Sequence, residues 1–529
     1  MDVQRLWMDK RPYPETLRQA DSGHPWNSGW HTQSLAPNFF LSPNSAALRG
    51  ILFMTNPNRP VKNIHLLGIC GTAMAALAGA LQAQGYRVTG TDEHVYPPIS
   101  TQLEQLGILF NQGYKAENIP PDTDLVVVGN VIRRVNPEAV EMTARGLDCL
   151  SMAEAVYRYA IRGRTTLAVV GTHGKSTTTT LAAHVLVDAG VDPGFLIGGI
   201  PLNFGVNFRL GQGDTFVIEG DEYDTAYFDK TPKFFKYRPS MVIFTSLEFD
   251  HADIYADLEA IRPHFAQLVA GLPPQGLLVA AADDPNVMAL VPQAACPVVT
   301  YGFSATADCR LDNLRVGPQT TEFTTTWRGE THPWSVPMAG DYNALNAAAV
   351  MVAACHIPGV TPQAVQKGFD SFKGIKRRQE VRGVADGVTV LDDFAHHPTA
   401  VDLTVRAIRQ KYPAGTLWAV FEPRSFTARS SRFQTEFARS FDQADRVMFP
   451  PPYRPPGGSG GELLDPEQLA EAIRERGPDA RAFADTDAIL AELVKQAKPG
   501  DTVLIMSNGG FDNIHARLLE ALSHREKPS

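Results

Sequence analysis

Short apolar runs recur along the chain from residue 61 onward, each followed by a stretch with helical spacing of its apolar positions. The runs over 63–67, 87–90 and 125–128 read as strands, as do those over 167–170, 215–218 and 241–244. Three more follow over 388–391, 417–421 and 502–506. Continuous apolar strands alternating with amphipathic stretches predict parallel βαβ units with both sheet faces covered. The expected division is 61–164, 165–376 and 377–529, three α/β domains in all. Residues 1–60 show no sustained period and read as a disordered extension, with Met54 a plausible true start. The Pro- and Gly-rich stretch over 450–461 reads as a loop.

Composition agrees with this division. A chain of 529 residues exceeds what one core supports, which predicts about three domains. A hydrophobic content of 44% with 20% charged residues is that of a globular protein, and a net charge of −9 argues against nucleic acid as a partner. The five cysteines, Cys70, Cys149, Cys296, Cys309 and Cys355, are scattered without metal-type pairing, as free thiols in a reducing compartment would be. No apolar run is long enough to span a bilayer and the start lacks a signal-peptide pattern, so the expectation is a cytoplasmic protein without membrane insertion. Nothing in the sequence sets the oligomeric state.

The most specific chemistry lies in Gly171-Thr172-His173-Gly174-Lys175-Ser176, continued by Thr177. It follows the apolar run over 167–170 and opens a helix-forming stretch, the strand–loop–helix context of a phosphate-binding loop. Lys175 can neutralise phosphate charge and the Ser176 hydroxyl can ligate Mg²⁺. Two residues separate the glycines, where the common loop has about four. That compression favours a class with its own loop over a generic nucleotidase; a plain Gly-rich turn is the alternative.

A second loop, Gly68-Ile69-Cys70-Gly71-Thr72, follows the first strand, and Asp92 ends the next one. Backbone at such a loop can approach a pyrophosphate and Asp92 can meet a ribose hydroxyl, so a nicotinamide oxidoreductase competes here with simple tight packing. The phosphate loop downstream tips the balance, because a dehydrogenase has no need of one. Glu219 ends a strand within Glu219-Gly220-Asp221-Glu222-Tyr223-Asp224, where a carboxylate can hold Mg²⁺. His251 follows in Glu248-Phe249-Asp250-His251; in isolation it reads as a solvated loop histidine.

In order along the chain these segments are followed by Gly340-Asp341-Tyr342-Asn343-Ala344-Leu345-Asn346, Arg377-Arg378 and Asp392-Asp393-Phe394-Ala395-His396-His397-Pro398. The series resembles the Mur ligase family of ATP-dependent amide-forming enzymes, from about residue 61 to the C-terminal region. The resemblance implies a Rossmann-like N-terminal domain for a UDP-sugar, a central P-loop ATPase-type domain for ATP and Mg²⁺, and a Rossmann-like C-terminal domain for the incoming amine. It implies that Gly68, Cys70, Gly71, Thr72 and Asp92 face the UDP-sugar. Ser176, Glu219 and His251 would hold Mg²⁺. Asn343 and Asn346 would lie along the adenine, Asp393 and His396 by the nucleoside, and Arg378 at the transferring phosphoryl group.

Within the family, Phe421-Glu422-Pro423-Arg424-Ser425 and Met506-Ser507-Asn508-Gly509-Gly510 resemble the recycling branch, which attaches a ready-made tripeptide. The implied substrates are UDP-N-acetylmuramate and L-alanyl-γ-D-glutamyl-meso-diaminopimelate. The alternative is the branch that adds free L-alanine. Arg424, Ser425 and Asn508 are the candidate acceptor residues, with a surface or ion-paired role the alternative for Arg424. Intact Lys175, Ser176, Glu219 and His251 argue against a sensor without turnover. Three departures stand out: Tyr342 where the family usually has His, Ser246 where many members have Asn, and Phe265 where some carry a carbamylated lysine.

Overall fold

Five parallel-type strands form the first sheet of this computed structural model: β1 (Asn63–Leu67), β2 (Arg87–Asp92), β3 (Leu109–Gln112), β4 (Leu125–Val128) and β5 (Asp148–Ser151), in the order β3-β2-β1-β4-β5. The structure describes residues 60–525 except 98, 253 and 455–461. The expected N-terminal extension, Met54 included, lies outside the described residues, as does part of the expected loop over 450–461. Helix α1 (Thr72–Ala83) follows β1. Leu66, Leu67 and Val126 to Val128 are fully buried, which is why these strands read as unbroken apolar runs.

The central sheet has ten strands. They are β6 (Thr165–Val170), β7 (Gly194–Leu196), β8 (Phe208–Arg209), β9 (Thr215–Glu219), β12 (Met241–Phe244), β13 (Leu277–Ala281), β14 (Val298–Gly302), β15 (Cys309–Val316), β16 (Thr321–Trp327) and β17 (Glu330–Val336). A separate hairpin pairs β10 (Asp224–Ala226) with β11 (Asp229–Pro232). The order β17-β16-β15-β14-β13-β12-β6-β9-β7-β8 puts β6 between β9 and β12, parallel to both. Helices α2 (Lys175–Asp188) and α3 (Asp341–Ala354) pack in its core, where Leu181, Val185 and Ala347 to Val350 are buried. Sequence reading missed the antiparallel β15–β16–β17 extension, whose alternating burial is visible in Thr321–Trp327.

The last sheet runs β18-β19-β23-β20-β21-β22, with β18 (Glu380–Ala385), β19 (Val388–Asp393), β20 (Leu417–Phe421), β21 (Arg446–Phe449), β22 (Asp479–Ala482) and β23 (Thr502–Met506). Helix α4 (Pro398–Lys411) follows β19, capped by His397, whose side chain accepts from the Thr399 N–H. The register sets Asp393 and Phe421 both opposite Met506. The segments after β19, β20 and β23 therefore leave one edge of the sheet together. The described chain packs as two units. One holds residues up to 70, 78–128 and 135–150; the other holds 71–77, 129–134 and all that follows 150, including the central and last sheets.

Candidate active site

The strand order of the central sheet builds the site. Val169 pairs with Glu219 and Val170 with Phe244, so the carboxyl ends of β6, β9 and β12 lie side by side at a topological switch point. Gly171 and Gly174 take φ of +123° and +79°, which only glycine adopts readily. A Cβ on Gly171 would come within 2.5 Å of Thr245 Oγ1. The loop is braced by the segment after β12. The Thr172 N–H donates to Ser246 O at 3.0 Å, and the His173 N–H donates to Ser246 Oγ at 3.0 Å. Thr177 lies half-buried in the first turn of α2.

Lys175 Nζ donates to Gly171 O at 2.5 Å and to Glu222 Oε1 at 2.9 Å. Burial alone would lower the Lys175 pKa, but the facing Glu222 carboxylate, with Glu219 and Asp221, outweighs it and holds the ammonium above its ordinary value. Ser176 Oγ donates to Glu219 Oε1 at 2.9 Å, and Glu219 Oε2 accepts the Gly198 N–H at 2.8 Å. Burial pushes the Glu219 carboxyl up, opposed by Lys175. His251, at φ +55°, sets its Nε2 2.7 Å from Glu222 Oε1. Burial would lower the His251 pKa, but the Glu222 hydrogen bond raises it.

The three expected metal ligands therefore fall into two pairs, Ser176 with Glu219 and His251 with Glu222. Glu222 is the residue sequence reading did not single out. Its Oε2 is buried without a hydrogen-bond partner. A hydroxyl, a buried carboxylate and an unpartnered carboxylate oxygen are the hard donors Mg²⁺ prefers, so these residues fit that ion. Phe265 is buried, stacked on Phe244 with centroids 4.9 Å apart, and so the position of the carbamate in other relatives is apolar core here.

Asn343 and Asn346 are buried in α3; Asn343 Nδ2 donates to Ala339 O at 2.7 Å, and a Cβ on Gly174 would lie 2.8 Å from Asn346 Oδ1. Tyr342 is held by Gln379, which donates to its hydroxyl. Asp393 is buried and accepts the Gln379 and Ala395 N–H groups at 2.7 and 2.8 Å. His396 Nδ1 lies 3.0 Å from Phe394 O. The Arg378 guanidinium lies over the Phe394 ring at 5.1 Å; burial raises the Asp393 carboxyl as it does Glu219, and the Arg378 charge opposes both shifts. Its neighbour Arg377, which sequence reading left without a role, donates to Ser507 O and Gly509 O at 2.5 and 2.7 Å and so pins the loop after β23.

At the same edge Arg424 Nη1 donates to Glu422 Oε1 at 3.1 Å and the guanidinium stacks on Tyr453 at 4.1 Å. Ser425 Oγ accepts the Ala428 N–H at 3.0 Å, and Asn508 Oδ1 is buried without a partner. In the first loop, Gly68 has φ +84°, and Asp92 accepts the Cys70 and His94 N–H groups at 2.8 and 3.2 Å. Gly71 O accepts the Ala75 N–H at 2.8 Å, opening α1 at Thr72. A cleft of about 220 Å³ in the second unit is lined by Gly71, Thr72, Gly129, Gly198, Glu219 and Lys233, among others.

Residues 63–164 match the Mur ligase family catalytic domain, 169–354 the Mur ligase middle domain, and 377–509 the Mur ligase glutamate ligase domain. The chain is 40% identical over 475 residues to the UDP-N-acetylmuramate–L-alanyl-gamma-D-glutamyl-meso-2,6-diaminoheptandioate ligase of Escherichia coli (strain K12), covering 87% of this chain and 98% of that protein. The chain belongs to the Mur ligase family. This Mur ligase is also 35% identical to the UDP-N-acetylmuramate–L-alanine ligase of Salinibacter ruber, over 88% of this chain and 96% of that one. Among solved structures it resembles a murein peptide ligase from Psychrobacter arcticus 273-4, with a TM-score of 0.65 and 35% identity over 88% of this chain and all of that one. Mur ligase membership accounts for three α/β sheets carrying one phosphate loop. Among the described residues of this Mur ligase, no helix is long and apolar enough to cross a membrane.

Proposed function

We propose that this protein is an ATP-dependent ligase that joins UDP-N-acetylmuramate to L-alanyl-γ-D-glutamyl-meso-diaminopimelate in peptidoglycan recycling, working in the cytoplasm where ATP and UDP-sugars are found. The observation that carries the reading is the pairing of Lys175 with Glu222 and of Ser176 with Glu219 where β6 and β9 end. We assign residues 61–164 to the UDP-sugar, 165–376 to ATP and 377–529 to the peptide. A carboxylate acylates poorly because oxide would have to leave. Phosphorylation by ATP makes an acyl phosphate, and attack by the peptide amine then releases phosphate.

The residues divide that work. Backbone N–H groups of Gly174, Lys175 and Ser176 would cradle phosphate at the start of α2, those of Thr172 and His173 being held by Ser246. Lys175 places a charge, already buried and fixed by Glu222, beside the transferring group. Ser176 and Glu219, with Glu222 and His251, would hold Mg²⁺, which when bound screens phosphate charge and lowers the barrier to its displacement. Arg378 supplies a second positive charge. Thr72 and Glu219 line one cleft, which suits a sugar-linked carboxylate arriving next to the phosphate loop. Arg424 and Asn508 offer a guanidinium and an open acceptor to an acidic peptide. The deciding experiment is ADP release with UDP-N-acetylmuramate, comparing the tripeptide with free L-alanine. Equal or better use of alanine would replace this reading with the alanine-adding one.

A further inference from the structure

The His173 side chain turns away from the phosphate loop's interior towards Glu248 and His397. These three residues come from the phosphate loop, the segment after β12 and the turn into α4. Their ligand-type atoms all lie within 4.8 Å of one another. His173 Nε2 is 3.2 Å and His397 Nδ1 is 3.7 Å from the same oxygen, Glu248 Oε2. We propose that His173, Glu248 and His397 form a site for a borderline divalent cation of the Zn²⁺ type, separate from the Ser176–Glu219 pair, that ties the phosphate loop to the start of α4.

Three observations carry this. Ligands about 2.0–2.1 Å from a tetrahedral ion stand ~3.3 Å apart; the two separations from Glu248 Oε2 bracket that value, and the third, between the histidines, is within 4.8 Å and would close on binding. Next, His397 Nε2 lies 3.1 Å from Phe249 O. A carbonyl only accepts, so Nε2 carries the ring proton and Nδ1 presents a lone pair. That lone pair receives the Thr399 N–H at 3.3 Å and faces a carboxylate oxygen, acceptor towards acceptor. A backbone carbonyl on the far nitrogen is how metal-bound imidazoles are usually oriented. The Thr399 hydroxyl, donating to Glu248 Oε2 at 2.7 Å, supports the carboxylate in the same way.

Third, the donor chemistry suits the ion. Two imidazoles and one carboxylate with an open fourth position match Zn²⁺, whereas Mg²⁺ prefers oxygen alone. Burial, helped by the neighbouring His173, pulls the His397 pKa down to about 4, so the ring is neutral near pH 7. Burial would raise Glu248, but the His173 hydrogen bond holds it at about 2, so it is ionised. Binding through these atoms requires that His173 Nε2 give up the hydrogen it donates to Glu248 and that the Thr399 N–H release His397 Nδ1.

The test uses the full chain, stripped of metal by a chelator and returned to excess Mg²⁺, with Co²⁺ as probe. Tetrahedral Co²⁺ gives intense visible bands that a six-coordinate oxygen site does not. The expected result is an intense band, abolished by added Zn²⁺. Co²⁺ affinity should fall by at least about tenfold in His397→Gln, Glu248→Gln and His173→Gln, and stay unchanged in Glu219→Gln. Circular dichroism checks folding, and one variant on each of three segments keeps the test open if another misfolds. No intense band would mean a hydrogen-bonded tether only and would overturn the proposal. So would a band that survives in a folded variant of the trio, or one that is lost in Glu219→Gln.

Discussion

Lys175 and His251 meet on one oxygen: both reach Glu222 Oε1, at 2.9 and 2.7 Å. A single carboxylate thus positions the phosphate-loop cation and the loop histidine. Glu222→Gln keeps the shape and removes the charge that holds them. The expected outcome is a fall in kcat of about tenfold or more, with a smaller change in the KM for UDP-N-acetylmuramate, read by steady-state ADP release.

Lys175→Ala should abolish ligation while UDP-N-acetylmuramate still binds. The ammonium follows the loop after β6, and its hydrogen bonds to Gly171, Thr172 and Glu222 lie outside the segment after β1. Turnover and equilibrium binding of the sugar nucleotide, measured on the same preparation, check this. Near-normal turnover would remove the phosphate-loop assignment.

Gly171→Ala should cost about 2 kcal/mol or more in stability and lower ATP affinity. The new Cβ would be held at φ +123° and would meet Thr245 Oγ1 at 2.5 Å and Ser246 O at 2.6 Å. Urea unfolding and ATP binding are the two readouts, and a variant as stable as wild type would contradict the geometry.

Glu248 makes an acid-side contribution to stability. Its carboxyl, raised by burial alone, is brought to about 2 by the His173 hydrogen bond and by Thr399. A depressed folded pKa stabilises above the ordinary carboxylate value of 4.5 and is lost as pH falls towards 2. In metal-free buffer the melting temperature of wild type should exceed that of Glu248→Gln near neutrality, and the gap should close between those two pH values. A gap that widens in acid would reverse the sign and reject the cause.

Arg424→Ala should raise the peptide KM by about tenfold or more and leave the KM for ATP nearly unchanged. Glu422 and Tyr453 already orient the guanidinium. Arg424→Lys should recover only part of the loss, because an ammonium cannot make a forked contact. Kinetics with the tripeptide varied at saturating ATP decide this; unchanged peptide KM would leave the ligase reading standing and remove this contact.

What the sequence by itself determined is local. The run over 167–170, the spaced glycines and Lys175-Ser176 specify strand, loop and helix within a few residues of one another, so that unit is legible. So are Glu219 at the end of β9 and the apolar strands, because burial on both faces of a parallel sheet leaves an unbroken apolar run. The antiparallel β15–β17 extension escaped notice because its half-buried, Thr-rich strands carry a weaker pattern.

Only the tertiary structure decided which of these segments meet. Glu222 was one of several acids in its motif, and nothing in their spacing says which one faces Lys175. Arg377 and Arg378 are adjacent in sequence and both lie 5.1 Å from the Phe394 ring, yet it is Arg377 that grips the loop after β23. His173, Glu248 and His397 are distant along the chain. They meet because β6 lies between β9 and β12, and because α4 starts against the segment after β12. Periodicity records which face of a strand is buried; strand order depends on how whole strands and helices pack, and no local pattern of residues encodes it.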